Sequence, residues 1–404
     1  MKLFFNLRTA ILAFMLMMVG INSEADTLPP TFLLKPAVLM AVKEKVRQHD
    51  PQLQQALAAW LADADKALQK GPYSVVYKEK VPPSGNKHDY MSVGPYWWPD
   101  SSKPNGLPYI RKDGQINPER YAIKDDEYFN ALCKDVSLLG TAWFYTGNEK
   151  YADHAAKLLR TWFTDTATRM NPHLNYGQAI PGITEGRNIG IIDTHNTALL
   201  IDGIQLLKGS PALSEAGYRG IQAWYKQFLD WLLHSPIGKD EADEHNNHGT
   251  WYDVQAVSIA LFTEQPALAE KILKEQTEKR IESQLKPDGS QPFELARTLS
   301  WNYSLMNLKG FFELAMLAEN VHIDLWKYES PGGKSLKHAF SWMLPYAEGK
   351  EAWAYKQIKP MDKNGYLELA WVAERKYTDI DLTPLWEKNT GFKNNELLLT
   401  GWKL

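Results

Sequence analysis

Three stretches of the 404-residue chain hold residue types able to move protons or carry charge. The first is Glu244-His245-Asn246-Asn247-His248-Gly249-Thr250-Trp251, polar residues crowded just before an apolar run. A histidine, with a free pKa of about 6.5, is ready to serve as a base at neutral pH. Asn246 or Asn247 would cap the helix that follows, and the rest of the cluster would set an amide donor beside the base. Zinc would need further ligands: His245 and His248 are three apart, but no HExxH run occurs and Cys133 is the only cysteine. The second stretch, Pro292 to Tyr303, sets Arg297 and Tyr303 in an otherwise apolar run. Six residues along a regular helix lie about 120° apart, so the two converge only if Arg297 belongs to the turn that begins the helix. Taken singly, each reads as structural, Arg297 paired with Glu294 and Tyr303 packed in a core. The third stretch, Gln178 to His195, is a Gly-rich approach to a helix without P-loop or dinucleotide spacing. It reads as a polar loop feeding Gln178, Arg187 and His195 toward a cavity, although His195 alone reads equally well as a satisfied structural histidine.

Helices must position these residues. Apolar residues at helical spacing predict helices over 53–70, 127–145, 150–163, 191–207, 214–233, 251–262, 267–285 and 294–319, with weaker candidates at 335–346, 366–374 and 384–388. Glycine and proline punctuate most gaps. Alternating strand patterns are scarce, and the best one, Val75 to Val81, could equally be extended loop. About a dozen helices in up-down hairpins, with no fixed-period repeat, predict an all-α fold. The expected architecture is an incomplete α/α toroid of roughly six to seven helical hairpins around a central cavity. Residues 81–117 resist a helical reading: they are rich in proline and glycine and carry Tyr90, Tyr96, Trp97, Trp98 and Tyr109. Long loops without secondary structure are usually functional, and so many aromatics argue against disorder. The stretch is read as an ordered loop across the cavity mouth, with a packing strap as the alternative. Neighbours in an extended loop face opposite ways, so one of Trp97 and Trp98 would meet a ligand and the other would anchor the loop.

Composition narrows the partners. A net charge of −3 leaves no basic excess for nucleic acid. The chain holds 15 Trp, 19 Tyr and 14 Phe; Trp60, Trp143, Trp162 and Trp224 fall in helical patterns and are assigned to packing. The loop aromatics suit flat amphipathic ligands such as sugars. Lys2, Arg8, the apolar run Ala10 to Ile21 and the small residues Ser23 and Ala25 read as a signal peptide over 1–25, followed by a single domain over 26–404. No later apolar run is long enough to span a bilayer and no cysteine lies near the cleavage site, so a periplasmic or secreted protein without a lipid anchor is expected. Cys133 sits in an apolar pattern and reads as a buried inert thiol. No metal or cofactor is implied, and a monomer is expected.

The run Asp89 to Asp100, with Tyr96-Trp97-Trp98-Pro99-Asp100 at its end, and the run Gly106 to Gly114 resemble the opening signature of the alginate lyase superfamily of helical toroids. Gly190-Ile191-Ile192-Asp193-Thr194, Asn247-His248 and the Arg297/Tyr303 segment follow in family order, so the resemblance covers residues 55–320. Within the group the chain looks most like the Bacteroidetes-type polyuronate lyases, which act on alginate and, in some members, on glucuronan. The resemblance implies cleavage of (1→4)-linked polyuronates by β-elimination, leaving 4,5-unsaturated ends. It implies that Asn247 and Arg297 neutralise the substrate carboxylate and that His248 and Tyr303 are the base and acid. Tyr96, Trp97, Trp98, Gln178, Arg187, His195 and Asn246 are expected to contact the sugar chain. One departure is that His248-Gly249-Thr250-Trp251 stands where better-known members carry a Ser-Tyr-Trp-like run.

The implied reaction suits these residue types. Removing the proton at C5 adds negative charge beside a carboxylate, so neutralising that group is the main electrostatic task. In mannuronate and glucuronate H5 and O4 lie on one side of the ring, and Tyr303 could serve as both base and acid. In guluronate they lie on opposite sides, which calls for His248 as base and Tyr303 as acid. A free tyrosine titrates at about 10, so a basic Tyr303 needs a cation such as Arg297 or His248 beside it. Two other readings stay open: a toroid glycoside hydrolase drawing two carboxylates from Glu185, Asp193, Glu244 and Glu294, and a non-catalytic periplasmic polysaccharide-binding protein that keeps the tryptophan loop.

Overall fold

A helix that is apolar all round must be covered on every side, whereas an apolar stripe needs cover on one side only. Both kinds occur here and sort into two layers. The computed structural model describes residues 28–400, so the leader expected over 1–25 lies outside the described residues. In chain order the helices are α1 (Pro36–Arg47), α2 (Pro51–Ala67), α3 (Asp125–Thr146), α4 (Glu149–Leu159), α5 (Thr197–Leu206), α6 (Glu215–His234), α7 (Pro236–Ala242) and α8 (Asn247–Phe262). They continue with α9 (Pro266–Ile272), α10 (Glu278–Gln284), α11 (Pro292–Leu295), α12 (Ser300–Ala318), α13 (Leu336–Ala347), α14 (Asn364–Lys376), α15 (Thr383–Lys388) and α16 (Asn395–Thr400). The inner row runs α3 on α5, α5 on α8 and α8 on α12. Of the 16 residues of α8, all but His248 are buried. Outer helices are striped: α6 lays Tyr218, Ile221, Trp224, Tyr225, Phe228, Leu229 and Leu232 inward and packs on α8. This all-α arrangement is an α/α toroid, the fold class read from the sequence.

Helix boundaries follow local chemistry. Asp50 caps α2 by accepting from the backbone N–H groups of Gln52 and Leu53. Gly147 closes α3 in the left-handed region at φ 64°, and Asn148 then caps α4. The run expected over 267–285 is α9 and α10 joined by a π turn, Leu273–Thr277. The run expected over 191–207 divides into a 3-10 turn, Asn188–Thr194, and α5. The run expected over 294–319 is broken between α11 and α12, because the backbone N–H and hydroxyl of Thr298 are spent on Asp113. Helices α1 and α7 escape the periodicity reading, although a proline at the first helical position marks each. Val75–Tyr77 is a 3-10 turn rather than a strand.

The core is aromatic. Trp162, Trp301, Tyr225, Phe163 and Phe228 are buried, and Phe163 meets Trp224 edge-on with centroids 4.8 Å apart. Trp60 and Trp143 pack half-buried against this core. Cys133 is a buried free thiol. Residues 81–117 are ordered by two short pairings. β1 (Met91–Val93) runs parallel to Tyr176–Ala179, and β2 (Trp97–Trp98) runs antiparallel to β3 (Ile110–Arg111). The strand Tyr176–Ala179 is β4. No helix among the described residues is long and apolar enough to cross a membrane.

Candidate active site

The cluster is assembled where the loop over 81–117, the approach to α5 and the first turns of α8 and α12 meet. Gly190 and Gly177 allow the first contact: a Cβ on Gly190 would lie 2.4 Å from the Gly177 carbonyl carbon. That approach brings β4 beside the 3-10 turn carrying Asp193. Gln178, at φ 46°, adopts a left-handed conformation that costs a non-glycine residue about 1–2 kcal/mol. Its amide nitrogen donates to Asp193 at 2.8 Å, and its amide oxygen accepts from Arg187 at 2.9 Å. The Tyr90 and Ser92 hydroxyls also donate to Asp193. Arg187 is thereby fixed with its guanidinium 5.8 Å from the Trp97 ring centroid. Burial lowers its pKa to about 10, so it stays charged, and no carboxylate pairs with it among the described residues.

On the neighbouring wall two buried glutamates hold the Asn247-His248 pair. His248 Nδ1 lies 2.8 Å from Glu241 Oε1, and Glu241 is 1% exposed. With Nδ1–H donated to that carboxylate, the lone pair of a neutral ring sits on Nε2. Burial alone would lower the His248 pKa. The charge and hydrogen bond of Glu241, with Glu244 and Glu294 adding, outweigh burial and raise it. Asn247 is buried, and both its backbone N–H and its side-chain amide donate to Glu294 at 2.6–3.0 Å. Asn246 is the helix cap, accepting from the His248 N–H at 2.9 Å. The glycine that departs from the family run has a physical reason. A Cβ on Gly249 would sit 2.2 Å from the Arg280 guanidinium. Arg280 grips Asp253 and donates to the carbonyls of Ala242 and Glu244, pinning the turn between α7 and α8.

The third part of the cluster is the break between α11 and α12. Arg297 lies in that turn, which lets it reach Tyr303: its guanidinium carbon is 3.8 Å from the Tyr303 ring centroid. The same guanidinium pairs with Asp113 of the aromatic loop at 2.7 Å. Burial would raise the Asp113 pKa, but the bonds from Arg297 and Thr298 hold it well below the usual carboxylate range. The Tyr303 hydroxyl donates to the Tyr96 hydroxyl at 2.8 Å. Burial, then proximity to Tyr96, pushes the Tyr303 pKa far up against the opposing pull of Arg297. Glu294 links the walls, since it bonds Asn247 and feels the charges of both Arg297 and His248.

Placement therefore sorts the residues singled out in the sequence. His248, Tyr303, Arg297, Tyr96, Trp97, Gln178 and Arg187 line this cluster. Asn247 differs from expectation because its donors are committed to Glu294. Asn246 serves as cap, and Gln284 donates to its carbonyl. His195 Nδ1 is bonded to the Ile192 carbonyl at 2.8 Å, its ring abuts Trp251, and burial lowers its pKa to about 4. It is a packed structural histidine. Trp98 anchors the loop: its indole N–H donates to the Gln115 carbonyl and Lys112 lies over its ring. Arg297 pairs with Asp113 rather than Glu294. Glu241, Asp113 and Arg280 went unrecognised in the sequence, since a lone acidic or basic residue in a helix or turn looks like ordinary surface charge.

Comparison with known proteins follows the same outline. The alginate lyase family model matches residues 74–353. An alginate lyase from Bacteroides ovatus is 39% identical with a TM-score of 0.81, the match covering 92% of this chain and 95% of that one. Alginate lyase A1-III from Sphingomonas species A1 shares the fold at 17% identity and a TM-score of 0.51, covering 80% of this chain and 79% of that one. A substituted form of A1-III complexed with a tetrasaccharide is 16% identical with a TM-score of 0.59, covering 88% and 90%. No curated protein matches the chain.

Proposed function

The chain belongs to the alginate lyase family and is a polysaccharide lyase, and from that premise we propose that it cleaves (1→4)-linked polyuronates, alginate foremost and glucuronan beside it, by β-elimination. The observation that carries the reading is His248, the single unburied residue of α8, held by buried Glu241 in the cluster that also contains Tyr303 and Arg297. In this reading His248 Nε2 takes the C5 proton. The Tyr303 hydroxyl, kept protonated by its surroundings, gives its proton to the leaving O4 oxygen, and Tyr96 orients it. The electron pair of the C5–H bond becomes the C4–C5 double bond as the C4–O bond breaks.

Neutralisation of the reacting carboxylate falls to Arg187, which has no acidic partner among the described residues, with Arg297 contributing what Asp113 leaves uncompensated. Asn247 supports the site by tying α8 to α11 through Glu294. Trp97, against Arg187, offers an apolar face to a sugar ring. Two of the four carboxylates that the hydrolase alternative would draw on, Asp193 and Glu294, are saturated by protein donors, and a third, Glu244, accepts from Asn188 at 2.8 Å. An exported protein, released from its leader as a monomer, would meet such polymers outside the cytoplasm. The test is an absorbance screen across purified mannuronan, guluronan, mixed alginate and glucuronan, since elimination creates a conjugated double bond and hydrolysis does not. Reducing ends without absorbance on all four would overturn the reading.

A further inference from the structure

Four aromatic side chains that the cluster does not use gather beside the turn carrying Arg297. Trp342 and Tyr346 lie one turn apart on α13, with centroids 5.2 Å apart. Trp353 is 5.7 Å from Trp342 and 5.0 Å from Tyr346, and Tyr355 is 5.1 Å from Trp353 and 5.8 Å from Trp342. None of the four is fully buried, and Tyr355 is 38% exposed. Trp342, Tyr346 and Trp353 pack one side against the core and leave the other partly in water, so the four rings present an aromatic surface beside that turn.

Its location is fixed by hydrogen bonds to the catalytic turn. The Trp353 indole N–H donates to Ser300 Oγ at 2.9 Å. The Lys356 carbonyl accepts from the Ser300 backbone N–H and hydroxyl at 3.1 and 2.7 Å. The Ile358 N–H donates to the Thr298 carbonyl at 3.0 Å. Residues 353–358 are thus laced to 298–300, the residues between Arg297 and Tyr303. The tip of the aromatic loop reaches the same segment, for a Cβ on Gly114 would lie 3.0 Å from Ile358. Lys356, which follows Tyr355 in the chain, and Lys359, three residues further on, are exposed and in no ion pair among the described residues. Glu351 nearby is engaged by the Tyr346 hydroxyl.

Resting on the lyase reading above, we propose that Trp342, Tyr346, Trp353 and Tyr355 form a distal subsite that seats a uronate ring of the substrate chain beyond the pair undergoing elimination. The rings cover the apolar face of the sugar, and Lys356 and Lys359 meet the chain's carboxylates. The patch is tied to the turn between Arg297 and Tyr303 by the hydrogen bonds of Ser300, and its cations, unpaired among the described residues, complement a polyanion rather than a neutral glycan.

Uronate oligosaccharides of increasing length test this, with kcat/KM measured on the full chain and its Tyr355→Ala variant. The subsite predicts a loss that grows with chain length and reaches about three- to tenfold on long chains, the worth of one aromatic contact. A Lys356→Gln/Lys359→Gln variant is expected to show the same length dependence at low salt and to lose it at high salt. An equal loss at every length, or none at any length, would overturn the subsite while leaving the lyase reading standing. A wild-type protein inert on all polyuronates would overturn the lyase reading instead. Unchanged thermal midpoints in both variants are expected, because the substituted side chains are exposed.

Discussion

Two regions of this molecule are rich in the same residues and use them in opposite ways. Around α4 and α6, the rings of Phe163, Trp224, Tyr225 and Phe228 touch one another at 4.8–5.3 Å and are almost wholly covered. In the loop over 81–117 the rings barely touch each other and meet charges and polar groups instead: Trp97 faces Arg187, Trp98 lies under Lys112 and Tyr96 accepts from Tyr303. Core aromatics stabilise by removing area from water. Tyr96, Trp97 and Trp98 stay partly uncovered and lie against cations or a hydroxyl, as a site for a flat anionic ligand requires, whereas Tyr90 of the same loop is buried on Asp193. The difference teaches that aromatic content says little about function until the partners of each ring are known.

The sharpest way to break the contrast is to alter both regions and see which property fails. Tyr303→Phe keeps the ring and deletes the proton, so kcat is expected to fall about 10²- to 10⁴-fold with little change in thermal midpoint. His248→Ala should do likewise on guluronate blocks, and an equal loss on mannuronate blocks would show that one base serves both epimers. Trp162→Ala in the core should reverse the pattern, costing about 3–5 kcal/mol of stability measured by denaturant titration, with kcat per folded molecule retained.

Smaller effects sharpen the comparison within the loop. Asp113→Asn releases the latch on Arg297 and should raise KM several-fold. The latch also has a pH sign. The folded Asp113 pKa is depressed, so its stabilisation is present above about pH 4 and is lost as pH falls through the lowered value. Trp97→Ala should raise KM while leaving stability within about 0.5 kcal/mol, whereas Trp98→Ala should loosen the loop and raise its proteolytic sensitivity. Subtlest is Glu241→Gln. The raised His248 pKa means that the base form is lost as pH falls through a value above about 6.5. Removing the Glu241 charge leaves burial opposed only by Glu244 and Glu294 and should move the acid limb of the rate profile to lower pH. A limb that stays put would assign it to another group.

Much of this was legible in the residues alone. Regular apolar spacing marks the long helices α2, α3 and α6, because their buried faces are continuous stripes. Helix α7 is too short at seven residues to show a stripe, and α1 stays outside the reading although Leu39, Val42 and Val46 lie along one buried face. The break before α12 was invisible because its cause, the bond between Thr298 and Asp113, joins residues 185 positions apart. The same holds for the site. His248 and Tyr303 stand out as polar groups in apolar runs, but Glu241 acquires meaning only once α7 folds back onto α8. Asn247 looked like a free donor because sequence does not reveal that Glu294 already takes its hydrogens.

The central claim, proton abstraction by His248 and donation by Tyr303, is tested most directly by ultraviolet absorbance during digestion of guluronan. The wild-type protein should produce a steady rise, and His248→Ala and Tyr303→Phe, folded to the same thermal midpoint, should each remain within about a hundredth of that rate. A rise at wild-type rate in either variant would contradict the account.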